Sequence, residues 1–236
     1  MTISYESAAP VTVVLVHGAW ADGSSWRHVI HRLQHAGIAA VAVQNPTSSL
    51  ADDVAVTQKA IQDAEGDVVL VGHSWGGTVI TEAGDDPKVK ALVYVAAFAP
   101  DAGESTGDQV GAHDSPPGLD TIVPDRAGTH LYMTEEGWIR NVAQDLPMDE
   151  ARVLAAIAPP LALTTFGDKV TRTAWKTRPN FYVVSTDDRA VSVELQRDLV
   201  KRLNARGTEL VASHMSLMSQ PHAVADVIRN AVEAIR

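Results

Sequence analysis

Val68-Val69-Leu70-Val71-Gly72-His73-Ser74-Trp75-Gly76-Gly77 is the stretch on which the reading of this chain turns. Its first half is a continuous apolar run, the pattern of a strand covered on both faces. Gly72-His73-Ser74-Trp75-Gly76 follows at once as G-x-S-x-G. Between a strand and a helix this motif forms a tight, strained turn that lifts the serine hydroxyl above the end of the sheet. Glycines flank it because side chains there would collide. The helix that follows aims its N-terminus at the serine, and the positive end of its dipole favours an oxyanion formed beside it. Ser74 is therefore the candidate nucleophile.

Outward from this stretch, runs rich in β-branched residues alternate with helical periodicity, which predicts a mostly parallel sheet flanked by helices. Candidate strands are Val11–His17, Ile38–Gln44, Asp67–His73, Val89–Phe98, Asn180–Ser185 and Glu209–Ser213. Trp26, Val29, Ile30 and Leu33 follow helical spacing, with Gly37 placed to end that helix. Leu195, Leu199, Val200 and Leu203 mark a second helix, with Ser192 as its N-cap and Gly207 beyond its end. Pro221 opens a last helix whose apolar face is Val224, Val227, Ile228, Ala231 and Ile235. The alternation breaks between Pro100 and Lys176, where Gly, Pro and Asp clusters precede helical fragments at Thr134–Gln144 and Met148–Ile157. That stretch is too long for a plain loop, so residues 100–176 are read as an inserted helical cap over a core of residues 1–99 and 177–236.

A serine nucleophile needs an oxyanion hole, a base and an acid. His17-Gly18-Ala19-Trp20 follows the first strand, and the loop there supplies the second oxyanion donor in sheets of this design. The backbone N–H groups of Ala19 and Trp75 are the candidate donors. The acid and histidine should follow the serine in that order. Of the nine histidines, only His214 and His222 lie beyond the cap. His214 stands at the end of a late strand, where it can reach the edge of the sheet that carries Ser74, while His222 falls in the first turn of the last helix. His214 is the candidate base. For the acid, Asp187 and Asp188 both follow the strand that ends at Ser185, and Asp101 follows an earlier one; position alone leaves all three open.

These motifs resemble those of the small, cap-bearing α/β-hydrolases, a group that includes plant methylesterases, hydroxynitrile lyases and bacterial carboxylesterases. The resemblance runs through Leu15-Val16-His17-Gly18-Ala19-Trp20, the Gly72–Gly77 turn, Pro100-Asp101, Asp188 to Gln196, and Ser213-His214-Met215 to Pro221. The core motifs are specific, the cap only loosely comparable. In that family the acid lies eight residues before a glutamine, a spacing that Asp188 and Gln196 reproduce and that implies Asp188 as the acid. In relatives that cleave cyanohydrins a threonine follows the first-strand histidine and a lysine follows the catalytic one. Gly18 and Met215 stand there instead. Met215 cannot stabilise departing cyanide, and Gly18 is expected to leave room for an acyl carbonyl; both are taken as substrate-binding. The resemblance implies a serine hydrolase of carboxylic esters, with Ser74, His214 and Asp188 as its triad. Lactones, amides or a peroxide acceptor could use the same triad, and a ligand-binding protein could keep the same fold. Met133, Trp138 or Trp175 of the cap are expected to shape the pocket.

Composition narrows the partners. A formal charge of -10 and a pI near 5.3 repel nucleic acid and anionic lipid, which favours a small neutral ester as substrate. A homodimer is compatible with the sequence. There are no cysteines, which removes thiolate metal sites and a cysteine nucleophile and fits a reducing compartment. No H-E-x-x-H is present, and no G-x-G-x-x-G follows a strand, so neither metal nor cofactor is expected. His28, His31 and His35 read as a solvated helix face. Met1 to Pro10 lacks the basic and apolar regions of a leader, and the protein is expected to be cytoplasmic.

Overall fold

The computed structural model describes residues 10–236. The reading of the leader, and the first residues of the core, lie outside the described residues. The chain opens with β1 (Val11–Val16), α1 (Arg27–His35), β2 (Ala39–Ala42), α2 (Leu50–Asp63), β3 (Asp67–His73), α3 (Trp75–Ala83) and β4 (Val89–Val95). Next come α4 (Thr106–Gly111), β5 (Ile122–Pro124), β6 (His130–Met133), α5 (Glu135–Gly137), α6 (Met148–Ile157) and β7 (Leu161–Ala162). The chain closes with β8 (Asn180–Ser185), α7 (Val193–Arg202), β9 (Arg206–Leu210), α8 (Ser216–Ser219) and α9 (Pro221–Glu233).

Six strands form one sheet in the order β2-β1-β3-β4-β8-β9, with every neighbouring pair parallel. Alternation of side chains along each strand divides the core in two. Val13, Leu15, Val69 and Val71 pack with Val29 and Leu33 of α1 and Val227 and Ile228 of α9. Val14, Val16, Val68 and Leu70 pack with Val54 and Ile61 of α2, Val79 of α3 and Leu195 and Leu199 of α7. Strands enclosed on both faces have no use for polar positions, which is why they read as unbroken Val and Leu. The chain steps outward from β1 to β2 and then back across to β3. The order reverses between β1 and β3, and a crevice opens beyond their C-terminal ends. The Gly18–Trp20 loop leaves one of these strands and Ser74 the other.

Local signals act as their chemistry requires. Gly37 takes a left-handed φ of 71° after α1, Ser192 Oγ accepts from Leu195 N at the start of α7, and Pro221 occupies the first turn of α9. Three expectations need correction. The last strand is Arg206–Leu210, three residues earlier than expected, so His214 sits on the loop beyond the strand rather than at its end. This edge strand exposes Arg206 and Glu209 to solvent, and the more apolar Val211-Ala212 that follows lies past its end, where Asp187 N donates to Ala212 O at 3.1 Å. Gly207 belongs to that strand; after α7 it is Asn204 that turns left-handed, with φ 46°. The inserted stretch is not purely helical. β5, β6 and β7 form a three-stranded antiparallel sheet, and the fragment expected at Thr134–Gln144 is α5 followed by a π-helical turn over Trp138–Val142.

Candidate active site

Ser74 follows β3 in a conformation that few non-glycine residues adopt, φ 52° and ψ −123°. Such backbone costs on the order of 1–3 kcal/mol and persists only where its surroundings impose it. They do so here: Ser74 N donates to Val95 O at 3.2 Å, and its carbonyl accepts from Gly77 N at 2.9 Å and Phe98 N at 3.2 Å. The turn is pressed against β1 so closely that a Cβ at Gly76 would lie 2.5 Å from Val16 O. Trp75 opens α3, where backbone N–H groups have no partner within the helix. Neither Trp75 N nor Ala19 N donates to a protein acceptor among the described residues. Ala19 lines the cavity into which Ser74 opens.

His214 and Asp188 come together from separate loops. Asp188 Oδ2 lies 2.7 Å from His214 Nδ1, with both side chains buried. The same oxygen accepts from Gln196 Nε2 at 2.9 Å, while Oδ1 accepts from Ala190 N at 2.8 Å and Val191 N at 2.9 Å. Gln196 is itself held by Ser185 N, which donates to its Oε1 at 3.0 Å. An ionised carboxylate only accepts, so the proton belongs on Nδ1 and Nε2 keeps a lone pair. The rival acids are elsewhere. Asp187 is exposed, and Asp101 pairs with Lys176, whose ammonium holds its carboxyl below the usual range. His222 is exposed on α9.

Two further histidines support the site from behind. His73 Nε2 donates to the carbonyl of His214 at 2.9 Å, and the two rings lie 4.6 Å apart. Burial, then the neighbouring His214, holds its pKa well below the ordinary value. His17 Nε2 accepts from Asn45 N at 2.9 Å, which leaves Nδ1 as donor to Gly18 O; burial lowers its pKa too.

The cavity above Ser74 and His214 is narrow, about 30 Å³, room for roughly two waters. Trp20, Phe98, Val191 and Met215 line one part of it, and Met133, Trp138, Val142 and Phe166, all from residues 100–176, line the rest. Among the described residues no Asp, Glu, Lys or Arg side chain lines it. Met215, Met133 and Trp138 are thus among the residues that line the cavity. Gly18 is not part of the wall: a Cβ there would meet Ser74 Cβ at 2.7 Å, so the missing side chain lets the loop close on the turn rather than making room for an acyl group. Trp175 lies away from the cavity, its Nε1 donating to Pro100 O at 3.1 Å. The rings of His31 and His35 lie 4.2 Å apart, tilted by 45°, on the exposed side of α1. No cluster of metal-ligating side chains assembles among the described residues, and no helix among them is long and apolar enough to cross a membrane.

Sequence reasoning missed the clasp between the inserted stretch and the two loops that bear Asp188 and His214. Gln144 Nε2 donates to Asp187 O at 2.7 Å, and Asp145 Oδ2 accepts from Ser213 N at 2.8 Å. These residues follow an irregular π turn, where no periodic pattern could have marked them.

A family model described as the alpha/beta hydrolase family matches residues 13–227. A carbendazim hydrolyzing esterase from Nocardioides sp. is 38% identical over 109 residues, which are 39% of this chain and 44% of that one. Methylesterase 2 of Arabidopsis thaliana is 23% identical over 90% of this chain and 92% of its own. Among solved structures, a pyrethroid hydrolase from Sphingobium faniae JZ-2 superposes with a TM-score of 0.82 at 23% identity, covering 95% of this chain and 98% of that one.

Proposed function

The chain belongs to the alpha/beta hydrolase family, and from that premise we propose that it is a serine hydrolase of carboxylic esters working through an acyl-serine intermediate. The observation that carries this reading is the convergence of three groups on one cavity. The strained Ser74 and the His214 imidazole line it, and the imidazole is fixed by the buried Asp188 at 2.7 Å.

In this mechanism Ser74 Oγ attacks the ester carbonyl while His214 Nε2 takes its proton. The tetrahedral oxyanion receives hydrogen bonds from Ala19 N and Trp75 N, each such donor being worth about 3 kcal/mol. Collapse breaks the bond to the alkoxy oxygen, and His214 returns the proton to the leaving alcohol. Water, deprotonated by the same nitrogen, then attacks the acyl-serine and frees the carboxylic acid. Asp188 holds the imidazole in the required tautomer and stabilises the imidazolium. The apolar wall suits an uncharged ester with an apolar acyl group, and residues 100–176 act as the cap that encloses it. The absence of cysteine suits a cytoplasmic setting. Esterase names among the relatives support the choice of ester over amide.

The test is labelling by a fluorophosphonate probe together with turnover of short-chain p-nitrophenyl esters. The wild-type protein should be labelled at Ser74 and hydrolyse the esters, and Ser74→Ala should do neither while keeping its melting temperature. Labelling at a different serine would remove the proposal.

A further inference from the structure

Asp53 points from α2 into the protein and is fully buried, yet the mechanism makes no use of it. Its carboxylate takes hydrogen bonds from two separate segments. Oδ2 accepts from the indole Nε1 of Trp75 at 2.7 Å, and Oδ1 accepts from the backbone N–H of Thr47 at 2.8 Å. Trp75 supplies a proposed oxyanion donor through its peptide N–H. Its ring is buried and lies 6.0 Å from Phe166, which lines the cavity from the cap side.

Thr47 is the second end of the arrangement. Its φ is 54°, a left-handed value that a β-branched residue takes only when neighbours enforce it. Its Oγ1 shares its one proton between Pro46 O at 2.7 Å and Pro160 O at 2.8 Å, and its carbonyl accepts from Ala162 N at 3.0 Å. Pro160 and Ala162 both belong to residues 100–176. Close by, Leu50 N donates to Asp168 Oδ2 of the same stretch at 2.9 Å.

A residue needed only to fill this space would be apolar, because burying a carboxylate is costly unless directed donors meet it. Burial pushes the Asp53 carboxyl up to about 6 against the pull of those two donors, and Asp52 beside it adds to the rise. We propose that Asp53 is a positioning residue for the oxyanion side of the cavity. It fixes the indole of the residue whose peptide N–H receives the oxyanion, and through Thr47 it ties that peptide to the seating of the cap. Aim matters there because hydrogen bonds weaken steeply with angle, and an oxyanion donor acts by preorganisation. The inference rests on the serine-hydrolase reading.

Asp53→Asn keeps the shape but turns one acceptor into a donor that must face a donor. Trp75→Phe removes the indole N–H instead. Steady-state hydrolysis of p-nitrophenyl acetate and inhibition by phenylboronic acid, a probe that forms a tetrahedral adduct with the serine, read the effect. Asp53→Asn should lower kcat by about 10–100-fold, less than the roughly 10²–10³-fold cost of losing an oxyanion donor outright because the donor is misaimed and not removed, with KM within about twofold of wild type. Phenylboronic acid should bind it more weakly by a comparable factor. Trp75→Phe should act in the same direction, and the double variant should be no worse than the poorer single one, because the two changes remove one interaction. Wild-type kcat and boronate affinity in Asp53→Asn would overturn the proposal whatever the melting temperature does, and so would losses that multiply in the double variant. Should Asp53→Asn fail to fold, Trp75→Phe decides alone, and unchanged kcat and boronate affinity in it overturn the proposal. A wild-type protein that neither hydrolyses the ester nor reacts with the fluorophosphonate overturns the serine-hydrolase reading, and the proposal with it; failure confined to the variants touches the proposal only.

Discussion

At the level of single residues, the contrast among three aspartates is the sharpest. Asp188 is enclosed by donors from Ala190, Val191, Gln196 and His214, whereas Asp187 next to it faces solvent and Asp101 pairs with Lys176. Asp188→Asn should therefore cost up to about 10⁴ in kcat through the wrong imidazole tautomer. Asp187→Asn and Asp101→Asn should stay within a few-fold of wild type. Parallel ester assays of the three variants check this, and a large loss at Asp101 would move the acid to the earlier strand. Position after the strand left these candidates open, and only the family-like spacing to Gln196 singled out Asp188. The reason lies in the fold: the amide that secures the carboxylate comes from the next helix, so neighbouring sequence says nothing of it.

Between elements, the β1 loop and the turn after β3 meet at Gly18. A methyl group there has no space beside Ser74 Cβ, so Gly18→Ala must displace either loop or turn. Overpacking of this kind costs about 1–3 kcal/mol, and a small displacement of a nucleophile can cost about 10²-fold in rate. The variant should lose activity for esters of every size to a similar degree. Restored activity with smaller acyl groups would instead return Gly18 to the pocket wall. Elements were legible wherever one physical demand dominated. β1, β3, β4 and β8 are enclosed on both faces and announce themselves as apolar runs. β9 lies at the edge and obeys solvent instead, which displaced its reading, and the three-stranded sheet over the site has strands too short to show a period. An Asp52-Asp53 pair in sequence invites a reading of both as turn or cap residues. Asp52 does cap α2 with Ser49, but Asp53 falls three residues after Leu50 and four before Thr57, on the buried face of α2. An acid on an apolar stripe was the signal available.

For the molecule as a whole, buried titratable groups set how stability depends on pH. His17 and His73 have lowered pKa values when folded. Their unfolded forms take up protons below about 6.5 while the folded forms do not. The stability they allow is thus present above that pH and is lost as pH falls through it. Asp53 acts in the opposite sense. Its folded value of about 6 exceeds an unfolded value near 3.9, so its contribution is lost as pH rises from about 4 to about 6. Urea titrations between pH 7 and pH 5 should show the wild type weakening with acid. Asp53→Asn should weaken more steeply, by up to about 1.4 kcal/mol for each pH unit. A shallower slope in the variant would contradict the assigned direction.

The cavity has a further consequence, for the fate of the proposed acyl-enzyme. A chamber with room for about two waters and a wall of tryptophan, phenylalanine, valine and methionine solvates a small alcohol better than it solvates water. Once the first alcohol has departed, the next nucleophile is drawn from whatever partitions into that space. Methanol added at molar levels should then divert a larger share of the acyl group into methyl ester than its mole fraction in the medium predicts. Gas chromatography of the products gives that ratio directly. A ratio equal to the mole fraction would mean that the chamber opens to bulk solvent before deacylation.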